Sequence, residues 1–375
     1  MSIATTVVQA ADLIPFDSWE HGRVALQDVS IHFRYAGTGP PVLLVHGNPQ
    51  HSLTWQFIGP LLVAQNYTVI APDNRGAGDS SLPPDGNYSA AASAADLAGV
   101  LDFLNVSAAH VVAHDKGVGM AAALAARRPD RVRRLALAEY PLPGFGYEAS
   151  ANPAPYWDLY QNWQLAFFQV PDLAEFLMAG KERQFLQWYF FHGSYAGPAA
   201  FSEDTVNRYA TSVTKPGFLR AMLGPFAAAT VAADSSFFTA AFAAGDGGRK
   251  LGMPVLALGG EASLGLESVL KQSFEPIASD LELDIVPKAG HWIGESTHLL
   301  LNIIALGKDI LLTLRSNFTA DENPRWVANR VLQFLGKDNS SLPAIDLSYL
   351  KDLVTLKVGY FGTLNNAALG GLAIS

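Results

Sequence analysis

Short apolar runs recur along the chain between longer stretches of mixed polarity. They are Val42–His46, Tyr67–Ala71, His110–His114, Arg134–Ala138, Pro254–Leu258 and Leu281–Val286. A strand covered on both faces has no polar side to show, so such runs predict buried parallel strands. The Ala-rich stretches between them, Ala90–Leu104 and Val118–Arg128, predict helices. Strands alternating with helices predict a doubly wound α/β sheet. The alternation stops after Glu139. From about Pro143 to Arg249 the chain reads as aromatic-rich helices, and the strand pattern resumes at Met253. A helical insertion between two strands of one sheet is expected to lie as a cap over the strand ends, where ligands bind in open α/β sheets.

Composition narrows the functions open to this fold. The 375 residues include 25 Lys and Arg against 34 Asp and Glu, a formal net charge of −9. That balance argues against nucleic acid or an anionic membrane as the main partner. With no cysteine in the chain, disulfides, thiolate metal sites and a cysteine nucleophile are excluded together. The first residues, MSIATTVVQAADLIPF, carry no basic group ahead of their apolar stretch, so no signal peptide is expected and the cytoplasm is the expected location. The most apolar segment, Leu299 to Leu314, is interrupted by Lys308 and Asp309 and is too short for a membrane span.

The candidate chemistry centres on Ala113-His114-Asp115-Lys116-Gly117, which follows a strand and opens a helix of small residues. A strand-to-helix turn this tight projects its middle residue above the sheet and needs small residues two before and two after, here Ala113 and Gly117. A carboxylate there is a nucleophile toward saturated carbon. Taken alone, Asp115 is equally a capping residue of the helix. His46-Gly47-Asn48-Pro49 ends an earlier strand. In such folds this loop and the residue after the nucleophile supply the two backbone donors of an oxyanion hole, here Asn48 and Lys116. Ala289-Gly290-His291-Trp292 follows the last apolar run, and His291 there is a candidate general base, although a lone His is more often structural. The acid that orients it has two candidates. The customary position after Pro254–Leu258 holds Ser263 and leaves Glu261 nearby, whereas Glu139 ends the strand before the helical insertion. Glu139 is the preferred assignment and Glu261 the reserve; singly, either is more often a solvated carboxylate.

With these four elements in order, the chain resembles the α/β-hydrolase superfamily, and within it the epoxide hydrolase and haloacid/haloalkane dehalogenase branch. HGNP, Asp73-Asn-Arg-Gly-Ala-Gly-Asp-Ser, AHDKG, EYPLPG, Ala179-Gly-Lys-Glu-Arg and GHW carry the resemblance, over roughly residues 22 to 295 and again from Glu322. It implies an α/β-hydrolase core at 22–142 and 250–338, a helical cap at 143–249 inserted before the penultimate strand, an atypical insertion at 296–321 and a C-terminal extension at 339–375. It further implies a cofactor-independent, metal-free reaction through an alkyl ester on Asp115, hydrolysed by water that His291 activates. Epoxides are the expected substrates. The alternatives are a haloacid or haloalkane dehalogenase and a non-catalytic ligand-binding relative.

The resemblance also exposes departures. Epoxide hydrolases of this branch protonate the leaving oxygen with two cap residues. Where these would stand, this chain has Gln164, after Trp163, and Pro225-Phe226. A replacement tyrosine is therefore expected from the cap, with Tyr160 favoured because it sits one helical turn before Gln164. Fluoroacetate dehalogenases grip the substrate carboxylate with Arg one and four residues past the nucleophile. Here those positions are Lys116 and Gly119, leaving one cation that points either into the pocket or along the helix to solvent. His46, Trp163, Gln164, Tyr160 and Phe226 are the expected pocket residues.

Overall fold

The computed structural model describes residues 13–242, 249–294, 323–338 and 342–351. The expected insertion at 296–321 lies outside the described residues. Among the described residues ten strands run Glu20–Ala25 (β1), Ser30–Ala36 (β2), Thr38–Gly39 (β3), Pro41–Val45 (β4), Thr68–Pro72 (β5), Ala109–His114 (β6), Val132–Ala138 (β7), Val255–Gly260 (β8), Leu281–Val286 (β9) and Ile345–Asp346 (β10). Eight form one sheet in the order β1-β2-β5-β4-β6-β7-β8-β9. From β5 to β9 the neighbours are parallel, while β1 and β2 are added antiparallel at one edge.

The six apolar runs are the six parallel strands, to within two residues at each end. Their side chains alternate between two cores. Leu43, Val45, Val111, Ala113, Leu135 and Leu137 enter one. Val42, Leu44, Val112, Ala136, Ala138 and Leu258 enter the other. Successive strand residues point to opposite faces, so an unbroken apolar run is what a sheet covered on both sides requires. Helices Gly59–Val63 (α1), Ala90–Phe103 (α2) and Lys116–Arg127 (α3) provide part of that cover, with Glu267–Phe274 and Pro324–Leu335 later in the chain. The antiparallel edge strands were not expected. In β1 only Gly22 and Val24 are buried, so it lacks the continuous apolar signal.

Between β7 and β8 every regular element among the described residues is helical, beginning at Tyr147 and ending at Phe242. The longer helices here are Leu159–Phe168, Glu182–His192, Glu203–Val213 and Ala228–Phe242. Part of the C-terminal extension is docked and not loose. β10 pairs with β3, the Thr68 hydroxyl donates to the Ile345 carbonyl at 2.8 Å, and Leu347 and Leu350 are buried in the first core. Among the described residues no helix is long and apolar enough to cross a membrane.

Candidate active site

The parallel register sets the height of the site. His114 on β6 pairs with Ala138 on β7, and Ala138 pairs with Leu258 on β8. The residues after the first two, Asp115 and Glu139, therefore leave adjacent strand ends side by side. Their backbone N–H groups still follow the ladder, donating to Ala138 and Leu258 carbonyls at 3.0 Å each. Both then turn into positive φ, 49° at Asp115 and 61° at Glu139. Non-glycine residues rarely adopt that conformation, at a cost of about 1–3 kcal/mol each, and it lifts both side chains off the sheet. The turn at Asp115 is possible because its surroundings are small. A Cβ on Gly117 would sit 2.5 Å from the His46 carbonyl oxygen, and one on Gly47 2.3 Å from the Asp115 carboxylate.

One carboxylate oxygen of Asp115 accepts the Asn48 backbone N–H at 2.7 Å, and the Lys116 backbone N–H also bonds the carboxylate. The two expected oxyanion donors thus converge on one group. The other oxygen lies 3.5 Å from His291 Nε2. Behind the imidazole, Nδ1 is 3.0 Å from Glu139 Oε2. Glu139 is buried and fully engaged, accepting from the Gly260 and Leu264 backbones at 2.5 and 3.2 Å and from the Ser263 hydroxyl at 2.7 Å. Ser263, at the position where the acid was first sought, therefore donates to Glu139. Glu261 instead accepts the Lys288 N–H at 2.8 Å at the surface and does not reach His291.

The electrostatics follow from this geometry. Burial pushes the Asp115 carboxyl up, but the His291 hydrogen bond and charge outweigh it and hold the carboxyl below its usual range. Burial pulls His291 down, but hydrogen bonds to Asp115 and Glu139 raise it to about 10. The two carboxyl groups thus favour the protonated form of His291 in the free site. Converting Asp115 to a neutral ester would remove one of them and let His291 lose its proton more readily.

Two groups support His291 that the sequence did not single out for that role. His114 Nε2 lies 2.7 Å from the His291 carbonyl, and burial pulls its ring down to about 4, so it donates as a neutral imidazole. From the helical region above, the Gly193 carbonyl accepts the His291 backbone N–H at 2.7 Å. The helix-ending Gly193 shows no sequence signal beyond a C-cap glycine.

The expected pocket residues divide. Phe226 lies at the site, its ring centre 4.4 Å from Lys116 Nζ. The Lys116 side chain turns inward and is buried, which settles its direction against solvent. Gln164 is buried, donating to the Gln161 carbonyl at 2.7 Å and leaving its own oxygen without a partner among the described residues. Of the other three, His46 and Tyr160 do not take the expected place. His46 accepts the Asn74 N–H at Nε2 and donates from Nδ1 to the Gly47 carbonyl, both at 2.8 Å. Both its nitrogens are committed to joining two loops, so it is structural. Trp163 is half-buried against Phe167 and Trp188. Tyr160 is 63% exposed and packs against His192. The buried tyrosines near Asp115 are Tyr147, Tyr140 and Tyr189, each raised by burial and next by nearby negative groups that include Asp115.

The family model described as alpha/beta hydrolase fold matches residues 40–260. A soluble epoxide hydrolase of Corynebacterium sp. (strain C12) is 28% identical over 276 residues, which is 73% of this chain and 92% of that protein. A fluoroacetate dehalogenase of Burkholderia sp. is 40% identical over 126 residues, 32% of this chain and 41% of that protein. Among solved structures, the ligand-free epoxide hydrolase CorEH aligns with a TM-score of 0.69 at 26% identity, covering 84% of this chain and 98% of that one.

Proposed function

The chain belongs to the alpha/beta hydrolase fold family, and we propose that it is a hydrolase working through an alkyl ester on Asp115, with epoxides as its substrate class. The observation that carries this reading is the Asp115 carboxylate itself. One oxygen rests on the Asn48 N–H and the other faces His291, which is backed in turn by Glu139. A nucleophilic serine in this position would leave that donor pair unoccupied until an intermediate formed. A carboxylate occupies it from the start, with one oxygen already where an ester carbonyl would lie.

In the proposed first step the free Asp115 oxygen attacks an epoxide carbon, and the carbon–oxygen bond breaks toward the ring oxygen. In the second, His291 takes a proton from water as the water attacks the ester carbonyl. The charge that develops on the carbonyl oxygen falls between the Asn48 and Lys116 N–H groups. Donors of this kind are worth ~10²–10³ in rate each. The ester is neutral, so His291 is then held by Glu139 alone and becomes a competent base. Acid, base and nucleophile are all protein groups in this scheme.

The helices between β7 and β8 act in this reading as the cap of residues 143–249 over a core of 22–142 and 250–338. Cytoplasmic location and small-molecule substrates belong to the same proposal. A second reading, displacement of halide, is favoured by the fluoroacetate dehalogenase match and by Tyr160 facing away from the site, since a halide leaves without a proton. Intact mass measurement of a His291→Gln variant mixed with epoxides, haloacids and haloalkanes tests both. An adduct on Asp115 from epoxides is expected. An adduct from halides alone would replace the substrate class, and no adduct from any of them would remove the ester mechanism.

A further inference from the structure

Among the described residues Lys116 is the one buried ammonium at the site, and its surroundings are unusual for a lysine. Its Nζ donates to the hydroxyl oxygens of Tyr140 and Tyr147, both at 3.1 Å. The ring centres of Tyr147, Phe226 and Tyr140 lie 4.2, 4.4 and 4.9 Å away. An ammonium out of water needs each of its protons placed or its charge balanced. Two protons go to the phenol oxygens, three aromatic faces add cation–π attraction, and the carboxylates that bear on it are Asp115 and Asp234. Asp234 comes from the last helix before β8 and is itself anchored on the Ala90 N–H at 2.9 Å.

Because both phenols accept from Lys116, each keeps its own hydrogen to donate, and neither has an acceptor among the described residues. The placement also bears on the missing donors. Phe226 stands where a tyrosine would protonate the leaving oxygen, and the ammonium lies against that ring. The same tyrosines are polarised by the cation, which favours proton loss from a phenol that burial otherwise holds up.

We propose that Lys116, with Tyr140 and Tyr147 as its hydrogen-bonded partners, is the acid that protonates the oxygen leaving the substrate carbon. This rests on the epoxide reading above and deepens it. As the Asp115 oxygen–carbon bond forms and the ring carbon–oxygen bond breaks, the electron pair stays on the ring oxygen. That oxygen takes a proton either from the ammonium or from a phenol that the ammonium reprotonates. Lys116 is left as a neutral amine. In the second step ester and water give carboxylate, alcohol and one proton, which His291 collects and which restores the ammonium. Epoxide plus water yields a diol with nothing left over.

Burial lowers Lys116 to about 8 against the opposing pull of Asp115 and Asp234. That places its acidity closer to working pH than an ordinary lysine, as a general acid requires. Tyr140 and Tyr147 titrate far above this range. Asp234, raised by burial to about 6, is ionised wherever Lys116 titrates.

The test separates the two chemical steps. Rapid-quench intact mass of the wild type and of Lys116→Met, Tyr147→Phe and Tyr140→Phe/Tyr147→Phe measures ester formation from an epoxide and its later hydrolysis. Loss of a general acid typically costs ~10²–10⁴ in rate. Ester formation is expected to fall by about that factor in Lys116→Met, and more for epoxides whose oxygen leaves as the more basic alkoxide. Attack of water on the ester uses the Lys116 backbone N–H, and the amine only receives the proton afterwards, so ester hydrolysis should change less than about threefold, with the proton passing to solvent in the variant. Wild-type ester formation should decline as pH rises through about 8, a limb absent from Lys116→Met. If Lys116→Met does not fold by near-UV circular dichroism, the tyrosine variants carry the same comparison. Equal slowing of both steps, or no slowing of ester formation, overturns the proposal while leaving the Asp115 mechanism standing. So does a loss confined to carboxylate-bearing substrates, which would make Lys116 an anion anchor. No ester in the wild type would sink both.

Discussion

At the strand ends Asp115 and Glu139 are held by their own backbones; in the helices above them Tyr160 and Tyr147 are held only by what packs around them. The difference is visible residue by residue. Asp115 and Glu139 sit one step past paired residues of neighbouring strands, at φ of 49° and 61°, so the register and two turns fix where their carboxylates go. Tyr147 reaches the site because Lys116 draws its hydroxyl in, whereas Tyr160 lies against His192 at the surface. Chemistry set by a turn survives changes in packing; chemistry set by packing can move to a different residue while the fold stays the same.

The sharpest way to break this contrast is at its centre. Asp115→Ala should lower turnover by on the order of 10⁴–10⁶-fold, as removal of a nucleophile does. The protein should stay folded, because the substitution deletes a carboxylate and leaves the Gly47 and Gly117 contacts that shape the turn. Circular dichroism and thermal melting alongside turnover check both halves. Activity surviving in a folded variant would show that the turn is a structural cap.

A smaller effect is expected one strand over. Glu139→Gln keeps the shape but removes the charge behind His291, so ester hydrolysis should slow by roughly 10²–10³-fold. The pH dependence carries the sign. Burial lowers His291, and the two carboxylates raise it to about 10. Losing the Glu139 charge lowers it, so the acidic limb of ester hydrolysis should move to lower pH even as the plateau falls. Glu261→Gln should leave rate and limb within about twofold, since among the described residues Glu261 bonds only the Lys288 backbone N–H. A shifted limb in Glu261→Gln would mean that the acid is shared.

These expectations also mark what the sequence could convey. Turn chemistry is local. The residues flanking Asp115, the loop Gly47–Asn48 and the Gly290–His291 pair sit at fixed offsets from apolar runs, so these three separate segments could be placed from the sequence. The contact of Glu139 with His291 could be expected because Ser263 occupies the customary acid position, though that Ser263 would donate to Glu139 could not. Tertiary choices were out of reach. Nothing in AHDKG says whether Lys116 points in or out, and nothing in HGNP says that backbone groups of two separate turns would take both His46 nitrogens. The pairing of β1 with β2 was missed because an edge strand with alternate residues exposed carries a weaker pattern.

The smallest predicted effect is the one that separates the two regions most directly. Leu159–Phe168 is apolar on nearly every side, with Leu159, Tyr160, Trp163, Leu165, Phe167 and Phe168 in ten residues. Its inner face therefore cannot be read from periodicity. Spacing put Tyr160 on a face with Gln164, and Gln164 and Phe168, four apart, are indeed the buried pair. Sharing a face is not sharing a depth. Residues 158 to 161 are all exposed, so the first turn runs out past its neighbours and carries Tyr160 with it. A hydroxyl there cannot reach an oxygen leaving at Asp115 unless the helix moves. Tyr160→Phe should accordingly leave ester formation and turnover within about twofold, because an exposed hydroxyl without a buried partner contributes little to either state. Tyr147→Phe in the same assay should slow ester formation. A tenfold loss in Tyr160→Phe, at unchanged melting temperature, would mean that this helix turns inward during catalysis and that the original placement was right for the reacting state.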